Sequence, residues 1–104
     1  MKCLLEVTPE AERDIFTIIA NIRLQDSLEA ARQVTSQLKK QLNSLSEFPE
    51  SGRAGGCDGT REIVLTGQPY IAIYEQNKNV VTILRVLYGA DERRLVIREH
   101  DKKI

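Results

Sequence analysis

Apolar positions along the chain change their spacing twice, and each change marks a change of element. The first run, Lys2-Cys3-Leu4-Leu5-Glu6-Val7, is short with a β-like end and predicts a strand that stops at Thr8-Pro9-Glu10. Thr8 can cap a helix through its hydroxyl, Pro9 suits the first helical position, and Glu10 complements the positive helix end. From there Ala11, Ile15, Ile18, Ile19 and Ile22 recur at spacings of three and four. They form one stripe of a helix running to about Arg23, with Glu12, Arg13 and Asp14 on its other side. Asp26-Ser27 is a second cap signal, and Leu28, Ala31, Val34, Leu38, Leu42 and Leu45 carry a longer helix to about Ser46. Phe48-Pro49 ends it, because the residue before a proline is driven out of helical geometry. Two amphipathic helices so closely joined pack as an antiparallel hairpin and need an apolar surface to cover.

Past Gly59 the period falls to two or becomes continuous, which is the mark of strands. Three are expected: Arg61 to Leu65, Tyr70 to Glu75 and Val80 to Leu87. Thr66-Gly67-Gln68-Pro69 and Gln76-Asn77-Lys78-Asn79 separate them, and connections this short imply antiparallel hairpins. Val80, Val81, Ile83, Leu84, Val86 and Leu87 leave the last strand apolar on both faces, so it is read as central, with the first strand joining at an edge. The fold class is therefore α+β in the order β-α-α-β-β-β, an N-terminal helical hairpin packed on one face of a small antiparallel sheet. The other face is where functional residues are sought.

Between the two halves lies Phe48 to Ile63, FPESGRAGGCDGTREI, which holds four of the six glycines and both Arg53 and Arg61. Glycine permits positive φ and close approach of backbones. Two readings follow: a flexible crossover between the two halves, or a segment in which Arg53 and Arg61 border a groove that meets a phosphate backbone or a partner's carboxylates, Arg61 being the better placed because it opens a strand.

Composition narrows the classes without choosing among them. At 104 residues the chain is one domain, 1–104, ending in a charged tail over 91–104. The 15 basic and 15 acidic residues cancel, so any nucleic-acid surface must be local. No apolar run approaches a membrane span, and the N-terminus meets charge too soon for a secretory signal, which predicts a cytoplasmic protein with no membrane partner. Cys3 and Cys57 are read as reduced thiols, and the scattered carboxylates with a lone histidine, His100, suggest neither metal nor cofactor.

Several short motifs in order carry a resemblance. Thr8-Pro9-x-Ala11-x-x-Asp14-Ile15, Ala30-Ala31, Leu45-x-x-Phe48-Pro49-x-x-Gly52-Arg53, Thr60-Arg61-Glu62, Tyr70-x-x-x-Tyr74 and the run Ile83 to Gly89 cover about residues 5–90. Together they resemble the RelE/ParE superfamily of bacterial toxins. The resemblance implies the toxin of a type II toxin-antitoxin system, a bacterial growth inhibitor silenced by a cognate proteic antitoxin within a hetero-oligomer. It also implies two modes. RelE-like members cut messenger RNA on the ribosome, and this mode is ranked first; ParE-like members inhibit DNA gyrase by binding, without hydrolysis. A third reading is a homologue that keeps antitoxin binding and has lost toxicity.

RNA cleavage through a 2′-hydroxyl needs a proton acceptor, a proton donor and cations for charge gathering on phosphate. Metal-independent endoribonucleases of the superfamily use clustered Lys and Arg with Tyr or His. In this chain that assigns catalysis to Arg61, Arg85 and Tyr88 and target binding to Arg53 and Tyr74. Two departures stand out: Tyr88 occupies a position where many relatives have histidine, and residues 50–60 contain no lysine.

Overall fold

Both helices begin at the hydroxyl residues that the sequence offers as caps. In the computed structural model, which describes residues 2–65 and 69–88, the Thr8 hydroxyl accepts from the Ala11 N–H and the Ser27 hydroxyl from the Ala30 N–H, each at 3.0 Å. The helices are α1 (Pro9–Gln25) and α2 (Leu28–Glu47). Five strands accompany them: β1 (Leu4–Val7), β2 (Arg53–Ala54), β3 (Thr60–Val64), β4 (Tyr70–Asn77) and β5 (Val80–Tyr88). They form one sheet in the order β1-β5-β4-β3-β2. The pairs from β2 to β5 are antiparallel, and β1 joins β5 in parallel, so the sheet is mixed.

The order β-α-α-β-β-β with the hairpin on one face is therefore the observed architecture. Three details differ from the expectation. The sheet is mixed rather than antiparallel, because the helical hairpin and the antiparallel strands after it bring β5 alongside β1 in the same direction. β2 is an added pair of residues, too short to impose any period on the sequence. β5 is internal, but β4 holds the middle of the sheet and is buried from Tyr70 to Tyr74 on both faces. Part of the connection expected at Thr66-Gly67-Gln68-Pro69, and the whole tail 91–104 with His100, lie outside the described residues.

Parity along the strands sets the core. Tyr70, Ala72 and Tyr74 of β4 with Val81, Ile83 and Val86 of β5 meet Ala11 and Ile18 of α1 and Leu38, Leu42 and Leu45 of α2. At about 25 cal/mol per Å² this apolar burial is the main favourable term of folding. On the opposite face Ile71, Ile73 and Glu62 are also buried.

β1 spans only Val80 to Ile83 of β5, which would leave the next residues of that edge without ladder partners. α1 supplies them. The Thr8 N–H bonds the Ile83 carbonyl and the Thr8 hydroxyl donates to the Leu84 carbonyl, both at 3.0 Å, while the Asp14 carboxylate accepts the Val86 N–H at 2.9 Å. The entry of α1 is thus fastened to the strand that carries Arg85.

Candidate functional site

The glycine-rich crossover is pinned rather than slack. Tyr74 of β4 is fully buried beneath it; its hydroxyl donates to the Pro49 carbonyl at 2.9 Å and accepts the Gly52 N–H at 2.8 Å. A Cβ on Gly52 would stand 2.6 Å from that hydroxyl and 2.7 Å from the Glu62 carbonyl oxygen, so only glycine lets the loop approach this closely. Gly59, at φ +80°, turns the chain into β3. Tyr74, expected to face a target, has no accessible surface and serves here as the post to which residues 49–52 are tied.

Arg61 pairs across the sheet with Tyr74, and its Nη1 donates to the carbonyls of Gly52 at 2.8 Å and Glu50 at 3.4 Å. Two neutral carbonyls orient the guanidinium without cancelling its charge. Arg53 lies across from Glu62, one residue out of step with Arg61, so the two arginines of the crossover point to opposite faces of the sheet. Its Nε stands 3.6 Å from Glu62 Oε1, and Glu62 Oε2 accepts the Gly56 N–H at 3.2 Å. A buried carboxylate thus holds the crossover from below while the Arg53 side chain stays largely in solvent.

Arg85 follows an irregularity in the β4–β5 ladder, where Ile73 faces Arg85 but Tyr74 faces Ile83. Such a bulge re-aims side chains. Its guanidinium forks onto Asp14 of α1, with Nε to Oδ2 at 2.7 Å and Nη2 to Oδ1 at 3.0 Å. That hydrogen bonding holds the Arg85 pKa above its already high ordinary value and outweighs the opposing effect of burial. Asp14 accepts from Arg85 and from the Val86 N–H together, so one carboxylate both neutralises the cation and caps the strand.

Tyr88 ends β5 as an exposed ring, packed edge-on against Tyr70 with ring centroids 5.6 Å apart. Burial, and secondarily the neighbouring Tyr88, push the Tyr70 phenol above its ordinary value. Arg61 faces Tyr74 and Tyr88 faces Tyr70, on opposite sides of β4. Two strand spacings and four residues of rise put their backbones roughly 16 Å apart. Of the five residues singled out from sequence, the structure brings Arg61 and Tyr74 together beneath the crossover, turns Arg53 to the opposite face, and carries Arg85 and Tyr88 on β5, where Tyr88 and Asp14, the partner of Arg85, line one cavity of about 350 Å³. The residues that sequence reasoning left without a role are Asp14 and Glu62. Their signal was faint: Asp14 reads as part of the polar side of its helix, although it stands three residues after Ala11 and four before Ile18, and Glu62 sits between Arg61 and Ile63 in a strand.

A model of the family described as the ParE toxin of type II toxin-antitoxin system, parDE, matches residues 5–93. The protein Y4kP of Sinorhizobium fredii is 38% identical over 65 residues, which is 62% of this chain and 67% of that one. Among solved structures, the chromosomal ParDE system of P. aeruginosa superposes with a TM-score of 0.78 at 21% identity, over 86% of this chain and 98% of that one. The E. coli toxin RelE, as a mutant in the free state, gives 0.66 at 24% identity over 100% and 99%. The intact E. coli RelBE toxin-antitoxin complex gives 0.58 at 24% over 85% and 96%. The two helices on a mixed sheet are thus the RelE/ParE-like fold. Within it, the chain belongs to the ParE toxin family of type II toxin-antitoxin systems.

Proposed function

We propose that this toxin inhibits growth by binding its target, DNA gyrase in the ParE manner, rather than by cutting messenger RNA. The observation that carries the reading is the bidentate Asp14–Arg85 pair. Cleavage would need a cation free to take charge from a phosphate and, within reach of the same phosphate, groups that give and take protons. Arg85 instead spends its charge on Asp14, Arg61 is turned toward the Gly52 carbonyl, and Tyr88 lies on the far side of β4. A surface that acts by stoichiometric contact has no such requirement. It needs a rigid frame with a few exposed polar and aromatic groups, and the pinned crossover with Arg53 and the Tyr88 ring fits that description.

A cognate proteic antitoxin is the second partner in this reading. Support comes from the family and from solved complexes, such as RelBE, in which a chain of this fold sits with its antitoxin.

The test is induction of the toxin without antitoxin in growing bacteria, with transcript integrity and plasmid supercoiling followed in one culture. Growth arrest with intact transcripts and relaxed plasmid or broken chromosomes is expected. Rapid transcript cleavage at normal supercoiling would overturn the binding mode and return Arg61, Arg85 and Tyr88 to the role of catalytic candidates. Unimpaired growth would point to a homologue without toxicity.

A further inference from the structure

The guanidinium of Arg53 is engaged at one end. On the helix-free face of the sheet the register sets Arg53 of β2 beside Glu62 of β3, and Glu62 beside Ile73 of β4. Glu62 and Ile73 are each 5% exposed, so the carboxylate has an apolar wall on one side and its cation on the other. Its two oxygens are divided. Oε2 accepts the Gly56 N–H at 3.2 Å, and Oε1 stands 3.6 Å from Arg53 Nε. The backbone around that bond is fixed as well, since the Gly55 N–H bonds the Thr60 carbonyl at 2.8 Å and a Cβ on Gly55 would collide with the Thr60 hydroxyl. Glu62 is therefore a stationary anion beside an arginine side chain that is 62% exposed. Nη1 and Nη2 of Arg53 have no partner among the described residues. Arg85 differs, because Asp14 takes both its Nε and its Nη2.

A planar guanidinium presents its donors as a fork that matches a carboxylate, and one already oriented loses less rotamer freedom when a partner arrives. We propose that Glu62 is a positioning residue for Arg53, holding the guanidinium by Nε so that Nη1 and Nη2 together take a carboxylate of the target protein. The inference rests on the contact mode proposed above and names the chemistry of one of its contacts. A DNA backbone fits this place less well. It brings a negative charge about every 1.7 Å along the duplex axis, and Glu75, exposed on the same face one row from Glu62, repels it. A single carboxylate meets the fork alone.

The test compares, across variants of the full chain, the toxin concentration that halves supercoiling by a fixed, small amount of DNA gyrase. Arg53→Gln should raise it about tenfold, and Arg53→Lys, which keeps the charge and loses the fork, should raise it by a smaller factor. Glu62→Gln keeps an acceptor for the Gly56 N–H and releases Arg53. It should raise the concentration about threefold in the natural chain and leave it unchanged in the Arg53→Gln background. That dependence separates positioning from lost stability, which would act in both backgrounds. Arg53 is exposed on an edge strand, so its variants decide the question even where Glu62→Gln unfolds; circular dichroism and urea midpoints monitor folding. Full potency of either Arg53 variant, or an equal loss from Glu62→Gln in both backgrounds, would overturn the proposal. So would a labelled duplex oligonucleotide that binds the toxin alone and is released by Arg53→Gln, because phosphate would then be what the fork takes. Gyrase untouched by the natural toxin while messenger RNA is cut would overturn the contact mode and this inference with it, whereas the failures above leave that mode standing.

Discussion

Asp14 carries more of the site than any residue in the glycine-rich segment. Asp14→Ala leaves the part-buried Arg85 without its counter-charge and the Val86 N–H without an acceptor. The pair keeps some solvent contact, so the cost is set at about 2 kcal/mol, below that of a fully buried pair. Asp14→Asn keeps an acceptor for Val86 and should lose less; urea unfolding of both variants checks the order. Tyr74→Phe removes the hydroxyl that bonds both Pro49 and Gly52, and should cost about 1 to 3 kcal/mol because the Gly52 N–H is left buried and unpaired. Tyr70 gives the pH dependence. Its folded pKa is raised, so the stability tied to its proton is whole below the unfolded value of about 10 and is lost as pH rises through the folded value. Stability should therefore decline above pH ~10, and the phenolate absorbance step that Tyr70→Phe removes should lie above the ordinary tyrosine value.

At the scale of elements, the two helix caps look alike in sequence and differ in what they hold. Among the described residues Ser27 bonds its own helix alone, whereas Thr8 bonds α1 and also the Leu84 carbonyl of β5. Ser27→Ala should cost about 1 kcal/mol, and Thr8→Ala about 2, readable as a difference in urea midpoints at unchanged slope. Apart from the two-residue β2, the elements were legible because each rested on a local signal. The stripe from Ala11 to Ile22, the stop at Phe48-Pro49 and the apolar run from Val80 to Leu87 each require a single kind of element. What was not legible is relational. Nothing local says that β1 joins β5 in parallel, that β1 stops at Val7 and leaves α1 to finish the edge, or that Arg53-Ala54 pair with Arg61-Glu62. The same holds for the candidate site. Arg85 was singled out through the family resemblance, but its partner lies 71 residues away, and sequence spacing carries no trace of that contact.

On the scale of the whole molecule, a chain with no net charge uses its cations in three different ways. Arg85 is neutralised within the fold, Arg61 and Arg53 brace the crossover from opposite faces, and Arg23, Arg32 and Lys39 line a cavity between α1 and α2 with no ion pair among the described residues. The proposed binding mode rests on that division, because a nuclease would have to bring such charges to one point. The most direct measurement is titration of purified toxin against a fixed amount of DNA gyrase in a supercoiling assay, run beside ribosomes loaded with messenger RNA. Toxin acting by contact is expected to abolish supercoiling at close to one molecule per binding site and to leave the message whole at every ratio. Message cut by a small fraction of an equivalent, with supercoiling untouched at excess toxin, would contradict it.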